Sequence, residues 1–177
     1  MSTNVAAGPA WIAILRHAEK PGDPATDNLA DGPDLSDVGQ QRAALLATAL
    51  PDIVGATPDR LFAAQASAES NRPVETITPL ANALGVGVAG INTKFKNKQF
   101  QELAAHLLND PKYRGLGILI CWHHGNIPNL AHALGATDAP SEWHGEVFDR
   151  VWKITYSSGQ PDFTDLPQKL LPGDSTA

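Results

Sequence analysis

Two short, continuous apolar runs constrain this chain most. Trp11-Ile12-Ala13-Ile14-Leu15 and Gly117-Ile118-Leu119-Ile120-Cys121-Trp122 are too short for ordinary helices and rich in β-branched residues, so both read as buried strands. Residues 61–64, 86–91 and 151–156 are further strand candidates. Between them the spacing predicts helices. Ser36 is an N-cap for a helix with Leu46, Ala49 and Leu50 on one face, and Pro51 is its expected stop. A second helix spans 72–84, with Pro73 in its first turn and Gly85 just past its end. A third spans 97–109, with Phe100, Leu103, Leu107 and Leu108 at helical spacing. A fourth spans 128–134, ended by Gly135. Strands alternating with helices predict an α/β fold: three layers, a mostly parallel sheet with helices on both faces.

The 177 residues suit one domain. The expected division is a flexible stretch at 1–10, a single domain over 11–156 and an irregular tail over 157–177. Residues 20–34 read as a polar loop, a plausible lid over a site. Hydrophobic residues make up 42% of the chain and the formal net charge is -6. An acidic chain lacks the basic footprint that nucleic acid requires, so no nucleic-acid partner is expected. Cys121 is the only cysteine, which excludes an intrachain disulfide and a CxxC site. No basic and apolar leader precedes Trp11 and no run is long enough to span a bilayer, so no membrane partner and a cytoplasmic location are expected. Oligomeric state is not legible.

In open α/β sheets, ligands bind beyond the carboxyl ends of the strands. Arg16-His17 follows the first strand candidate, Arg72 follows the second at a helix start, and His123-His124-Gly125 follows the late one. Arginine offers planar, permanently charged donors that suit a phosphoryl dianion. A neutral imidazole can attack phosphorus and hold the group covalently. Arg16, His17, Arg72 and His124 are therefore expected to converge around one anion-sized pocket. Each residue also has an ordinary reading. Arg72 could hold a surface carboxylate, and His123-His124 could be a metal pair, although adjacent residues point apart and no third ligand is near. His106 and His132 read as surface or packing residues of helices, and the four tryptophans as core or loop packing.

Four segments resemble the histidine phosphatase (phosphoglycerate-mutase-like) superfamily. Arg16-His17-Ala18-Glu19-Lys20-Pro21 resembles its RHG/RHA signature, with Ala18 where many relatives have glycine. Leu35-Ser36-Asp37-Val38-Gly39-Gln40-Gln41-Arg42-Ala43 matches its L-[ST]-x-x-G-x-x-[RQ]-A helix opening. Ser70-Asn71-Arg72-Pro73-Val74-Glu75-Thr76 resembles S-x-x-R-x-x-x-T, and ILICWHHGNIP at 118–128 resembles the late strand-His-Gly segment. The resemblance implies the fold above, in a small RHA-type member. It also implies a phosphomonoester hydrolase acting on a small phosphorylated molecule through a phosphohistidine on His17. Arg16 and Arg72 would clamp the phosphoryl oxygens, a late histidine would complete the pocket, and no cofactor or metal would be needed. Inorganic phosphate would be a further ligand. A phosphomutase of the same chemistry and a non-catalytic phospho-ligand-binding regulator are the alternatives.

Aligning the His-Gly pair favours His124 as the late histidine, and aligning back from Ile127 favours His123. His124 is preferred because it immediately precedes Gly125 and the helix start. No motif places the acid that protonates the leaving oxygen. Glu19, His123 and Glu102 are candidates in falling order, and Glu19 is equally an ordinary salt-bridge partner. Lys94, Lys96 and Lys98 could meet an anionic substrate, although a solvated basic loop is the plainer reading.

Overall fold

The computed structural model describes residues 8–22, 32–157 and 160–177. Its six strands are β1 (Trp11–Arg16), β2 (Arg60–Ala63), β3 (Ile91–Asn92), β4 (Gly117–Trp122), β5 (Arg150–Thr155) and β6 (Asp162–Pro167). The helices are α1 (Asp37–Val54), α2 (Arg72–Ala83), α3 (Phe100–Asn109) and α4 (Ile127–Ala133). The strands form one sheet in the order β3-β2-β4-β1-β5-β6. The first four are parallel, and β5 and β6 each run antiparallel to the neighbour before them.

The two apolar runs occupy the centre of this sheet, paired from Trp11 with Gly117 to Arg16 with Trp122. Side chains alternate between faces along a strand, so a continuous apolar run means that both faces are covered. Ile12, Ile14, Ile118 and Ile120 pack against Leu103 and Leu107 of α3 and Leu130 of α4. Ala13, Leu15, Leu119 and Cys121 pack against Leu46 and Leu50 of α1 and Leu80 of α2 on the other face. The three-layer α/β expectation holds. Burial pushes the Cys121 thiol up, so it is a core residue rather than a reactive one.

Several local expectations need correction. Pro51 lies inside α1 and does not stop it; the helix runs on to Val54 and ends at Gly55. Gly55 adopts the left-handed conformation, φ 83°, and its N–H donates to the Pro51 carbonyl at 2.9 Å. Burial of Leu50 and Val54 offsets the one backbone bond that proline cannot make. The third strand is two residues long, Ile91–Asn92, and a 3-10 turn at Val88–Gly90 takes half of the segment 86–91 assigned to it. The third helix begins at Phe100, because 97–99 forms the turn into it.

The tail is not irregular throughout. Residues 162–167 form β6, whose Phe163 and Leu166 pack at the sheet's margin. Because β6 ends beside Arg150, the start of β5, the segment after it arrives at the edge where β1 and β4 end. Of the expected flexible stretch 1–10, residues 1–7 lie outside the described residues, as do 23–31 of the predicted lid loop. Gly8 and Ala10 are tied to the body: Gly115 N–H donates to Gly8 O at 3.0 Å, and Ala10 N–H donates to Leu116 O at 2.9 Å. Among the described residues no helix is long and apolar enough to cross a membrane.

Candidate active site

Arg16 is the last residue of β1, and His17 extends the ladder by one bond, its N–H donating to Trp122 O at 3.1 Å. Both side chains are buried, with His17 at 0% exposure. His17 Nδ1 lies 2.8 Å from the Ala18 carbonyl oxygen. A carbonyl can only accept, so Nδ1 carries the proton, and in the neutral ring the lone pair is on Nε2. The Arg16 guanidinium stacks over the Phe148 ring, 3.8 Å from its centroid. It also donates to the carbonyls of Gly145 and Val147, the latter at 3.1 Å. Antiparallel β5 begins at this edge of the sheet, which is how the 145–148 segment reaches Arg16.

Arg72 opens α2 and is fully buried. Its backbone N–H donates to Ser70 Oγ at 3.3 Å, and its guanidinium donates to Gly32 O at 2.6 Å. Thr76, one helical turn on, accepts from the Ala18 N–H at 2.8 Å and donates to the Arg72 carbonyl at 2.8 Å. The residue after the histidine and the second arginine are thus held by one hydroxyl. Glu75 accepts from the Leu35 N–H at 3.0 Å. Burial pushes its carboxyl up; the Leu35 hydrogen bond opposes the rise, and nearby Asp34 adds to it.

His123 follows β4 and begins the 3-10 turn His124–Asn126 that leads into α4. The His123 ring meets His17 edge-on, with centroids 5.2 Å apart and planes inclined by 71°. Residues in a 3-10 turn project in successive directions about 120° apart, so the side chains of the two adjacent histidines diverge. His124 is half-buried in that turn.

Glu19 is engaged elsewhere. Its two carboxylate oxygens accept from Arg42 Nε at 2.8 and 3.0 Å. Arg42 is itself buried and also binds Gln168 Oε1 at 2.9 Å and both carboxylate oxygens of Asp174. The salt-bridge reading of Glu19 is therefore the one realised. Glu102 lies on the exposed side of α3. Lys96 and Lys98 line a cleft shared with His123, whereas Lys94 lines a different one. His106 and His132 make local contacts, to the Tyr113 hydroxyl at 2.9 Å and the Ala139 carbonyl at 2.8 Å. Among the described residues no group of three His, Cys, Asp or Glu side chains is arranged to hold a metal ion.

Sequence reasoning assigned no role to Thr76, Arg42, Phe148 or Asp174. Thr76 and Arg42 stand inside quoted motifs and were legible as positions without a task. Phe148 and Asp174 carry no local signal, since each reaches the site through the antiparallel strands β5 and β6.

No protein-family model matches the chain, and no curated protein matches it by sequence. Solved structures do. The mycobacterial glucosyl-3-phosphoglycerate phosphatase superposes with a TM-score of 0.58 at 12% identity, over 88% of this chain and 96% of that one. Phosphoglycerate mutase from Bacillus anthracis gives 0.55 at 15% identity, over 90% and 93%. Phosphoserine phosphatase from Entamoeba histolytica gives 0.54 at 14% identity, over 91% and 99%. At such identities the likeness is one of architecture, and it agrees with the strand order and layers described above. The chain has the α/β fold shared by phosphoglycerate mutase and these phosphatases.

Proposed function

We propose that this chain is a phosphomonoester hydrolase that acts through a phosphohistidine on His17. The observation that carries this reading is the bond from His17 Nδ1 to the Ala18 carbonyl. It fixes the tautomer and presents Nε2 as the nucleophilic nitrogen, in a ring placed where the two central strands end. Arg16 and Arg72, both buried, are the donors for the phosphoryl oxygens. Guanidinium forks suit that task, because phosphoryl transfer is won chiefly by positioning and charge stabilisation.

In the first step the Nε2 lone pair attacks phosphorus and the ester P–O bond breaks. The leaving oxygen takes a proton from His123, acting as an imidazolium beside His17. In the second step water attacks the phosphohistidine, the P–N bond breaks, and the water proton returns to His123. His17 regains its neutral ring and inorganic phosphate departs. This assigns His123 the acid role in preference to Glu19 and to His124. The fold's presence in phosphatases such as the mycobacterial and Entamoeba enzymes supports the reaction class. The test is hydrolysis of 4-nitrophenyl phosphate by the wild type and by His17→Ala. Release of nitrophenolate by the first and none by the second is the expected result; no turnover by a well-folded wild type would favour the phospho-ligand-binding alternative.

A further inference from the structure

The segment that leads into β5 carries a phenylalanine that the phosphoryl chemistry above does not use. Phe148 is buried, and its ring lies against the face of the Arg16 guanidinium, with Cζ 3.8 Å from the ring centroid. The same ring stands beside His17, with centroids 6.4 Å apart and planes inclined by 56°. One side chain thus meets both members of the Arg16-His17 pair. The neighbouring backbone completes the hold: Arg16 Nη1 donates to the Gly145 carbonyl and to the Val147 carbonyl, the second at 3.1 Å. The stack sets the plane of the guanidinium, and the bonds from Nη1 set its rotation within that plane. The segment is itself anchored to the core. Trp143 Nε1 donates to the same Val147 carbonyl at 2.9 Å, and the Trp143 ring packs on Trp152 of β5 with centroids 4.9 Å apart. On the other side of Phe148, the Asp149 carbonyl accepts from the Gln168 N–H at 2.9 Å.

We propose that Phe148 is a positioning residue for phosphoryl transfer: its ring face sets the orientation in which the Arg16 fork meets the phosphoryl oxygens. The proposal rests on the hydrolase reading above and gives a task to a side chain that stands outside every motif. The residue type fits that task. The N–H groups of a guanidinium all lie in its plane, so a contact on its face uses none of them. A carboxylate in the same place would bind the edge of the fork and cancel charge that a phosphoryl dianion needs. A leucine would fill the space but offer the cation no negative ring face. Arg16 is 1% exposed, and a cation held away from water is drawn to a ring more strongly than one at the surface. Phe148 acts through Arg16, so its contribution exists only while that guanidinium is present.

The experiment replaces Phe148, in the full chain, with phenylalanines of increasing ring fluorination, which drains charge from the ring face while keeping its shape. The readout is kcat/KM on 4-nitrophenyl phosphate. It should fall in step with fluorination, by about tenfold at the trifluoro ring. The same analogues at Phe163, which meets Trp152 edge-on from β6, should leave it unchanged. A second arm places Phe148→Leu in the wild type and in Arg16→Ala. The loss should be about tenfold in the first and under about twofold in the second, because no guanidinium is left to orient. A flat fluorination series, a series matched at Phe163, or an equal loss from Phe148→Leu in both backgrounds overturns the proposal. If the wild type turns over no ester, the hydrolase reading fails separately. Equilibrium binding of inorganic phosphate then decides the role of Phe148: affinity that falls with fluorination upholds it, and affinity indifferent to fluorination overturns it.

Discussion

Asp174 grips Arg42 with both carboxylate oxygens, at 2.7 and 2.8 Å, and so joins the segment after β6 to the first helix. The same guanidinium holds Glu19, two residues beyond the proposed nucleophile. Arg42 and Asp174 are both largely withdrawn from water. Removing the cation strands two carboxylates at a shared, mostly buried site. Arg42→Ala should therefore destabilise the fold by about 3–5 kcal/mol, measured by urea denaturation, and should loosen the 17–20 loop. An unchanged midpoint would contradict a structural role for the pair.

Acid should probe the same link. Burial would raise the Asp174 carboxyl, but hydrogen bonds from Arg42 and from the Leu170 and Leu171 amides pull it down from 3.8 to about 2. A carboxyl whose folded value lies below its unfolded one stabilises fully above the unfolded value, and that contribution is lost as pH falls through the folded one. Stability should thus decline between about pH 4 and pH 2. Asp174→Asn should flatten this limb in an acid titration followed by fluorescence; an identical limb in the variant would show that other groups control it.

Gly39 explains the glycine of the helix-opening motif. A Cβ there would sit 2.2 Å from the Glu19 carbonyl oxygen, a backbone atom. That carbonyl also accepts from the Ser36 N–H at 3.0 Å, so the loop after His17 and the α1 N-terminus are in direct contact. Gly39→Ala should cost about 1–3 kcal/mol, as overpacking does, and should lower kcat by displacing the loop. Thermal unfolding and steady-state kinetics check both. Wild-type stability and rate together would mean that the loop gives way without consequence.

His123 and His124 are adjacent, and single substitutions separate them. His123→Ala should reduce kcat on an alkyl phosphate by about 100-fold or more, the usual loss for a missing general acid. The deficit should be smaller on 4-nitrophenyl phosphate, whose leaving group needs little protonation. If His124→Ala instead gave this leaving-group-dependent pattern, the assignment drawn from the ring contact would be reversed.

Local pattern and global topology divide what was legible. The apolar runs announced β1 and β4 because a strand buried on both faces leaves a continuous hydrophobic signature. Arg16-His17 and Arg72 were legible as positions because each follows a strand candidate, the last at a helix start, and all three side chains are buried. Pro51 misled because residue type set the expected helix end, whereas core contacts and a left-handed glycine set the real one. β6 escaped notice because an edge strand with Asp162, Thr164 and Asp165 exposed has little hydrophobic pattern. Glu19 was ambiguous because its partner lies 23 residues on and that partner's other carboxylate lies 132 residues from it. The choice between His123 and His124 turns on side-chain direction in a 3-10 turn, which spacing alone does not specify.

The central claim is that His17 carries the phosphoryl group. Its most direct measurement is trapping of phosphoenzyme from a ³²P-labelled ester, quenched in alkaline detergent, because a phosphoramidate survives alkali and is lost in acid. Wild-type protein should retain label that alkali spares and acid releases, and Arg72→Ala should retain a reduced amount, since it keeps the nucleophile while losing a charge clamp. His17→Ala, verified as folded by cooperative unfolding, should retain none and turn over no substrate. Acid-labile label on His17→Ala, or turnover by it at the wild-type rate, would place the nucleophile elsewhere and contradict the account.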